Sequence, residues 1–422
     1  METKINKFAL DTSSRFYSII KTRKAESLFR YSIVLKDEVS PQILDSAANR
    51  ALSRFPTMSV SLKAGYAWHY LKHNNKHLPI FEYDGSVKPP INRKINNGHN
   101  LRIAYKGNLV VIDFFHALCD GRGALEYIKL LFAIYAQEKG YSPILDGIKS
   151  EKDEATEGEK ENAFHNIYSP IKLSEIKLKE LLGEKPLLIK GTLLKDYVLD
   201  SVYIDTNKLK EICKERNTTF TGFVGGLLIY SIVKTRDKYD SRKSIVMMVP
   251  VDLRTYFPSE TVRNFVHFIR VCIKPKPEYT LDDYIKMTTE QLKEKITEEN
   301  IKEMIKTTVK SEKSLILKIS PLFLKIALTK FLRLFFKSRQ TIIFSNVGRV
   351  SLDETFGIDA VTMSLNASNN STVNLATTTA NGQTVFTFTR SIRESAIPYK
   401  VFNMLESFGC EITKLELSNK EE

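Results

Sequence analysis

A chain of 422 residues with 42% hydrophobic and 27% charged side chains has the balance of an ordinary globular protein and the length of two comparable lobes. No run reaches the apolar length of a membrane span, and residues 1–7 lack the apolar core of a secretory signal, so a cytoplasmic protein is expected. The 63 Lys and Arg against 49 Asp and Glu leave a net charge of +14, which favours anionic partners, yet none of the usual nucleic-acid-binding signatures is present. Cys119, Cys213, Cys272 and Cys410 are scattered without a C-x-x-C pair, as in a reducing compartment.

The first elements along the chain are a strand over 29–36 and a helix that begins at Ser40-Pro41, with the serine capping free amides and the proline in the first turn. Ile43, Leu44, Ala47, Ala48, Ala51 and Leu52 recur at helical spacing, and Pro56 ends the helix. Strand patterns follow over 58–62, 66–71, 101–105 and 109–115. His69, His73 and His77 are spaced four apart, but their surroundings read as strand and loop without an acidic ligand block, so no metal site is expected.

The run 109–115 has Asp113 as its only polar residue and reads as a central strand buried on both faces. His116 leaves its end at a fixed angle, and Asp120 stands where a carboxylate can lock the turn before Gly121. Imidazole titrates near working pH, so such a histidine suits a general base; the plainer reading is a hydrogen-bonded core or rim residue. Cys119 reads as a small buried residue rather than a nucleophile. Leu125, Ile128, Leu131, Phe132 and Tyr135 form the apolar face of a helix directly behind.

Residues 151–162 are almost entirely charged and small and read as a solvated linker, with the junction of an N-terminal lobe, 1–165, and a C-terminal lobe, 166–422, close by. The second half restarts with a strand over 201–204, a helix from about 206, and a second helix from 221. Phe223, Val224, Leu227, Leu228, Ile229 and Ile232 make that second helix apolar on nearly every side, so it is central. Strands over 245–251 and 265–273 precede a charged helical region over 281–310. The stretch 315–339 sets Lys318, Lys325, Lys330, Arg333, Lys337 and Arg339 among leucines and phenylalanines; it reads either as a helix packed on its own domain or as a basic helix in peripheral contact with a membrane. Strands over 341–344, 361–365, 373–378 and 384–389 follow, the last two joined by the hairpin signal Asn381-Gly382. A final helix from 398 carries Val401, Met404, Leu405 and Phe408.

His116-Ala117-Leu118-Cys119-Asp120-Gly121 resembles the H-x-x-x-D-G signature of the chloramphenicol acetyltransferase-like superfamily, which includes peptide-synthetase condensation domains, plant acyltransferases and bacterial alcohol acetyltransferases. Further blocks in the same order extend the resemblance over nearly the whole chain: Phe29 to Lys36, Arg54-Phe55-Pro56-Thr57, Gly65-Tyr66-Ala67-Trp68, Val249 to Arg254, Arg263-Asn264-Phe265-Val266 and Ser345-Asn346-Val347-Gly348. The double histidine of condensation domains is missing, since Phe115 precedes His116, and so is the Asp-Phe-Gly-Trp-Gly block of the plant enzymes. Both gaps favour the bacterial alcohol acetyltransferase branch.

The resemblance implies an α/β fold of two lobes, each a mixed sheet packed with helices, with an active-site tunnel between them. It implies transfer of an acetyl or other fatty acyl group from a thioester to a hydroxyl or amine, with His116 as general base and no acyl-enzyme; no Gly-x-Ser-x-Gly elbow supports a serine nucleophile. Asp120 would pair with an arginine of the other lobe, Arg254 by choice, with Arg263 and Arg270 as alternatives. Gly121 would permit close backbone approach to the substrates or serve the turn alone. Ser345 or Asn346 would serve the oxyanion, or merely form a turn; Asn264 would contact substrate or satisfy backbone groups. The cosubstrate would be acyl-CoA or an acyl thioester on an acidic carrier protein, the acceptor a small molecule, and the protein a monomer with no permanently bound cofactor. Two other readings stand beside this one: a condensation-like protein that uses a carrier thioester, and a non-catalytic lobe pair that only binds a thioester or carrier, against which the retention of both His116 and Asp120 argues.

Overall fold

The computed structural model describes residues 7–21, 26–87, 89–168, 184–236, 243–313, 318–335, 340–368 and 371–417. The strand Leu109–Phe115 is the middle of a five-stranded sheet in the order Ile358–Ser364, Leu28–Leu35, Leu109–Phe115, Leu101–Lys106, Ile80–Glu82. Asp113 can sit inside it because Arg30 and Arg102 face it in register from the two flanking strands. Arg30 holds both carboxylate oxygens at 2.7 and 3.0 Å, and Arg102 adds a bond of 2.6 Å. Burial pushes the Asp113 carboxyl up, and the two guanidiniums more than reverse this, holding it below the usual carboxylate range. The triad therefore adds stability above the unfolded-state carboxyl pKa, about 3.9, and loses it as pH falls through the lower folded value. Asp113→Ala leaves the fully buried Arg30 without its carboxylate, so a loss of about 3–5 kcal/mol is expected in urea unfolding. A loss below about 1 kcal/mol would exclude a structural role for the triad.

Two helices, Pro41–Arg54 and Gly121–Glu138, pack together over this sheet, burying Leu44, Ala47, Ala48 and Ala51 of the first and Leu125, Ile128, Leu131, Phe132 and Tyr135 of the second. Ser40 precedes the first helix, but its hydroxyl makes no cap bond; instead its N–H donates to the Tyr135 hydroxyl at 2.9 Å. Proline at the first position removes one free amide, so less remains to be capped.

A mixed seven-stranded sheet runs in the order Val266–Ile273, Ile245–Asp252, Ile342–Arg349, Val373–Ala380, Gln383–Ile392, Leu193–Asp205, Thr413–Lys414. The apolar helix Phe220–Lys234 is buried on nearly every side and packs against Leu281–Lys295. A small sheet of Lys7–Ala9, His69–His73 and Val60–Ala64 completes the described strands.

Three features bear on the site. The strand Ile358–Ser364, from late in the chain, pairs antiparallel with Leu28–Leu35 and so completes the five-stranded sheet. The charged stretch 151–162 is not simply solvated: it holds a turn of helix, Glu157–Lys160, in which Glu159 is buried and bonded to Arg54 at 2.8 and 2.9 Å and to Lys149 at 2.9 Å. In the basic stretch a helix spans Leu322–Phe335, and Lys325 is turned inward, donating to the Ala67 carbonyl at 2.5 Å with its ammonium 3.8 Å from the Trp68 ring centre. Residues 315–317, Lys337, Arg339 and the side chain of Arg333 lie outside the described residues.

Candidate active site

The sequence around His116 folds as strand, turn and helix cap. The His116 N–H donates to the Ser27 carbonyl at 2.8 Å, and the Leu118 N–H closes the turn on Phe115 at 2.8 Å. Asp120, in extended backbone, then caps the helix Gly121–Glu138 by accepting from the Gly123 N–H at 2.8 Å. Three residues separate the histidine from the aspartate across this turn.

The buried carboxylate of Asp120 has further bonds, all to the segment 252–265. Arg254 reaches it at 2.9 and 3.4 Å, and the Phe265 N–H at 2.7 Å. Arg254 itself follows the strand Ile245–Asp252 and also donates to Asp252 at 2.9 Å and to the carbonyls of Thr261 and Arg263 at 3.0 and 2.7 Å. Burial works against its charge, and Asp120 and Asp252 outweigh burial, so the guanidinium stays ionised. Arg263 is directed elsewhere, to the carbonyls of Ala9 and Lys160. Arg270 lies within the edge strand Val266–Ile273.

Asn264 fixes the imidazole. Its Nδ2 donates to the His116 carbonyl at 3.0 Å and to Ser14 Oγ at 3.0 Å, with Asp11 at 3.4 Å, so its Oδ1 faces His116 Nδ1 at 3.1 Å as an acceptor. Nδ1 therefore carries the proton, and the lone pair is on Nε2. Nε2 makes no hydrogen bond among the described residues and is not one of the sealed polar atoms; His116 remains partly exposed although Phe115 and Ala117 beside it are fully buried. The Tyr17 ring stacks on the imidazole at 4.2 Å with 17° between planes, and Phe29 meets it edge-on at 4.9 Å. Burial lowers the His116 pKa, and Asp120, Asn264 and Asp11 offset only part of that, so the ring is neutral at pH 7. Burial, with Asp11 and Asp120, pushes the Tyr17 phenol above its usual range, and burial with Asp120 does the same to the Cys119 thiol. Neither is a base or nucleophile at neutral pH. With the neighbour's grip removed, Asn264→Ala is expected to lower kcat on the order of tenfold and to move the acid limb of the rate profile to lower pH; an unchanged profile would remove Asn264 from the positioning of the ring.

Asn264 satisfies a backbone group, the His116 carbonyl, and also bonds to the ring, Ser14 and Asp11. Gly121 is not in the left-handed region, and a Cβ there would meet the Tyr31 hydroxyl at 3.2 Å and Met363 at 3.6 Å. The glycine that excludes a side chain outright is Gly123, where a Cβ would lie 2.0 Å from the Val262 carbonyl oxygen. Ser345 and Asn346 do not form a turn after a strand but lie within Ile342–Arg349, with a bulge between Asn346 and Gly348 that Asn346 Oδ1 bridges by accepting from the Gly348 N–H at 3.1 Å. Asn346 also bonds to Thr221 and Thr377 at 3.2 Å, and no described bond joins either residue to His116. Ser345 is buried, and no described hydrogen bond involves its hydroxyl.

Tyr17, Asp11 and Ser14 escaped the reading of the sequence altogether. The available signal was Asp11 ahead of Thr12–Ile20, where it accepts from the Ser14 N–H at 2.7 Å as a helix cap. A cleft of about 750 Å³ opens beside Arg254, lined by Arg54, Arg122, Glu126 and Lys149 among others, and His116 is not part of its lining.

The two sheets, joined by an exchanged strand and by Asp120 and Asn264 bonds, define the two-lobed fold of the chloramphenicol acetyltransferase-like acyltransferases. The chain aligns with polyketide synthase associated protein 5 from Mycobacterium tuberculosis at a TM-score of 0.59 and 11% identity, covering 95% of this chain and 96% of that one. It aligns with F. sporotrichioides TRI101, a structure holding coenzyme A and T-2, at 0.61 and 10% identity over 97% and 99% of the two chains. With the starter condensation domain of rhizomide synthetase, in complex with C8-CoA and Leu-SNAC, the values are 0.57, 10%, 96% and 94%. No curated protein sequence matches the chain. The family model for alcohol acetyltransferases matches residues 139–397, well over half of the sequence, and the chain belongs to that family of acyltransferase enzymes.

Proposed function

We propose that His116 is the general base of a direct acyl transfer from acyl-CoA to a hydroxyl or amine of a small molecule. The observation that carries this reading is an imidazole whose Nδ1 is held by Asn264 while Nε2 makes no hydrogen bond among the described residues. Nε2 takes the acceptor's proton as its oxygen or nitrogen attacks the thioester carbonyl; the tetrahedral adduct collapses, the carbon–sulfur bond breaks, and the thiolate leaves with the proton returned by the imidazolium. No step needs a metal or a resident cofactor. Ser345 is the preferred oxyanion donor, because its hydroxyl is uncommitted while Asn346 is tied to Thr221, Thr377 and Gly348.

Asp120 and Arg254 act through the turn they hold, and Gly121 through the packing it permits. In this reading lobes 1–165 and 166–422 enclose a channel in which both substrates meet, with Ile358–Ser364 fastening one lobe to the other. The protein acts as a cytoplasmic monomer. Coenzyme A bound to TRI101 and C8-CoA bound to the starter condensation domain support a CoA donor over a carrier-protein thioester. Incubating the purified protein with labelled acetyl-CoA, longer acyl-CoA and acyl carrier protein, each against a panel of alcohols and amines, tests it. Labelled ester or amide from a CoA donor is the expected product; binding of every thioester without turnover would leave a non-catalytic lobe pair.

A further inference from the structure

Among the described side chains, the helix Leu322–Phe335 is held down along one side. Lys325 points inward onto Trp68, over which Arg15 of the helix Thr12–Ile20 also lies at 5.0 Å, and the Leu322 N–H donates to the Tyr66 carbonyl at 2.7 Å. Its other side is apolar and uncovered: Phe323, Leu324 and Leu328 are each more than half exposed, as is Ile319 just before it. Tyr66, 75% exposed, and Phe16, 61% exposed on the helix that packs against it, extend the patch onto two further elements. Scattered exposed side chains need no explanation, but an apolar patch drawn from three elements does.

The charges that the sequence places along this segment have one sign. Lys318 and Lys330 are exposed beside it, and the sequence holds no Asp or Glu between Glu312 and Asp353. A second copy of the chain docked here about a twofold axis would bring these lysines against each other, which disfavours that occupant. Apolar side chains flanked by lysines fit the boundary between headgroups and acyl chains of an anionic bilayer, where lysine meets lipid phosphate. We propose that this face, formed by Ile319, Phe323, Leu324, Leu328, Tyr66 and Phe16, seats the protein on an anionic lipid surface.

The proposal is independent of acyl transfer, and vesicle binding tests it without turnover. The protein is expected to sediment with phosphatidylcholine vesicles containing phosphatidylglycerol, less so as salt rises, and not with phosphatidylcholine alone. Phe323→Asp with Leu328→Asp should weaken that binding by about tenfold or more, and Lys318→Glu with Lys330→Glu should remove the preference for phosphatidylglycerol. All four side chains are exposed, so an unchanged unfolding midpoint and circular dichroism are expected for both variants. The proposal is overturned if the folded wild type ignores phosphatidylglycerol vesicles, or if the double aspartate variant binds them as well as the wild type does. It is equally overturned if light scattering finds a dimer that Phe323→Asp dissociates, since the face would then belong to a second copy.

Discussion

Replacing His116 with alanine is expected to lower kcat/KM for acyl transfer by about 10²–10⁴-fold, the usual worth of a positioned base, while the protein stays folded. The ring stacks on Tyr17 and bonds to Asn264 at the rim, so its loss removes contacts of an only partly buried side chain and leaves the strand and turn intact. The pH dependence follows from the same geometry. Burial lowers the folded pKa of His116 below its ordinary 6.5, so the neutral base persists to lower pH than a free imidazole, and the acid limb of kcat/KM should fall below pH 6.5. Steady-state rates of the wild type and His116→Ala across pH, with folding checked by circular dichroism, decide this. Turnover unchanged by the substitution would take His116 out of the mechanism.

The second large effect concerns the carboxylate behind the turn. Arg254→Ala is expected to cost about 3–5 kcal/mol in denaturant unfolding, because it leaves the buried Asp120 carboxylate without its ion-pair partner, and Asp120→Ala is expected to cost a similar amount although Arg254 keeps Asp252. Asp120→Ala also deprives the Gly123 and Phe265 N–H groups of their acceptor and uncaps the signature helix. Activity should fall with stability, since the same carboxylate joins the His116 turn to the segment that carries Asn264. The double variant should be less destabilised than the sum of the two single changes, as removing both charges leaves neither unpaired. Strict additivity in that cycle would mean that the pair does not hold the turn.

Much of this site was legible in the sequence for local reasons. A run with one polar residue, a histidine, three spacers and an aspartate specify a buried strand, a turn and a helix cap, and all three are set by neighbours within a few positions. The Val-Asp-Leu-Arg block likewise marks a strand end, and Arg254 stands just beyond it. Other parts were illegible because their meaning is not local. Tyr17 is one aromatic residue on a short helix until the fold lays its ring on His116. Gly123 looks like an ordinary helical residue until the Val262 carbonyl arrives from a distant segment. Glu159 sits in a run that composition assigns to solvent, and only Arg54 and Lys149 make it a buried residue.

The sequence by itself determined most of the strands and helices, the central apolar strand and the signature turn, because periodicity, capping and spacing act over short distances along the chain, while the chemical class came from the resemblance of motif blocks in a shared order. Only the tertiary structure decided that Ile358–Ser364 completes the first sheet, that Asn264 sets the tautomer of His116, and that Asp120 is gripped by Arg254 while Arg263 turns elsewhere. Those outcomes depend on which distant segments meet, and a strand or an asparagine carries the same local pattern whatever partner it finds.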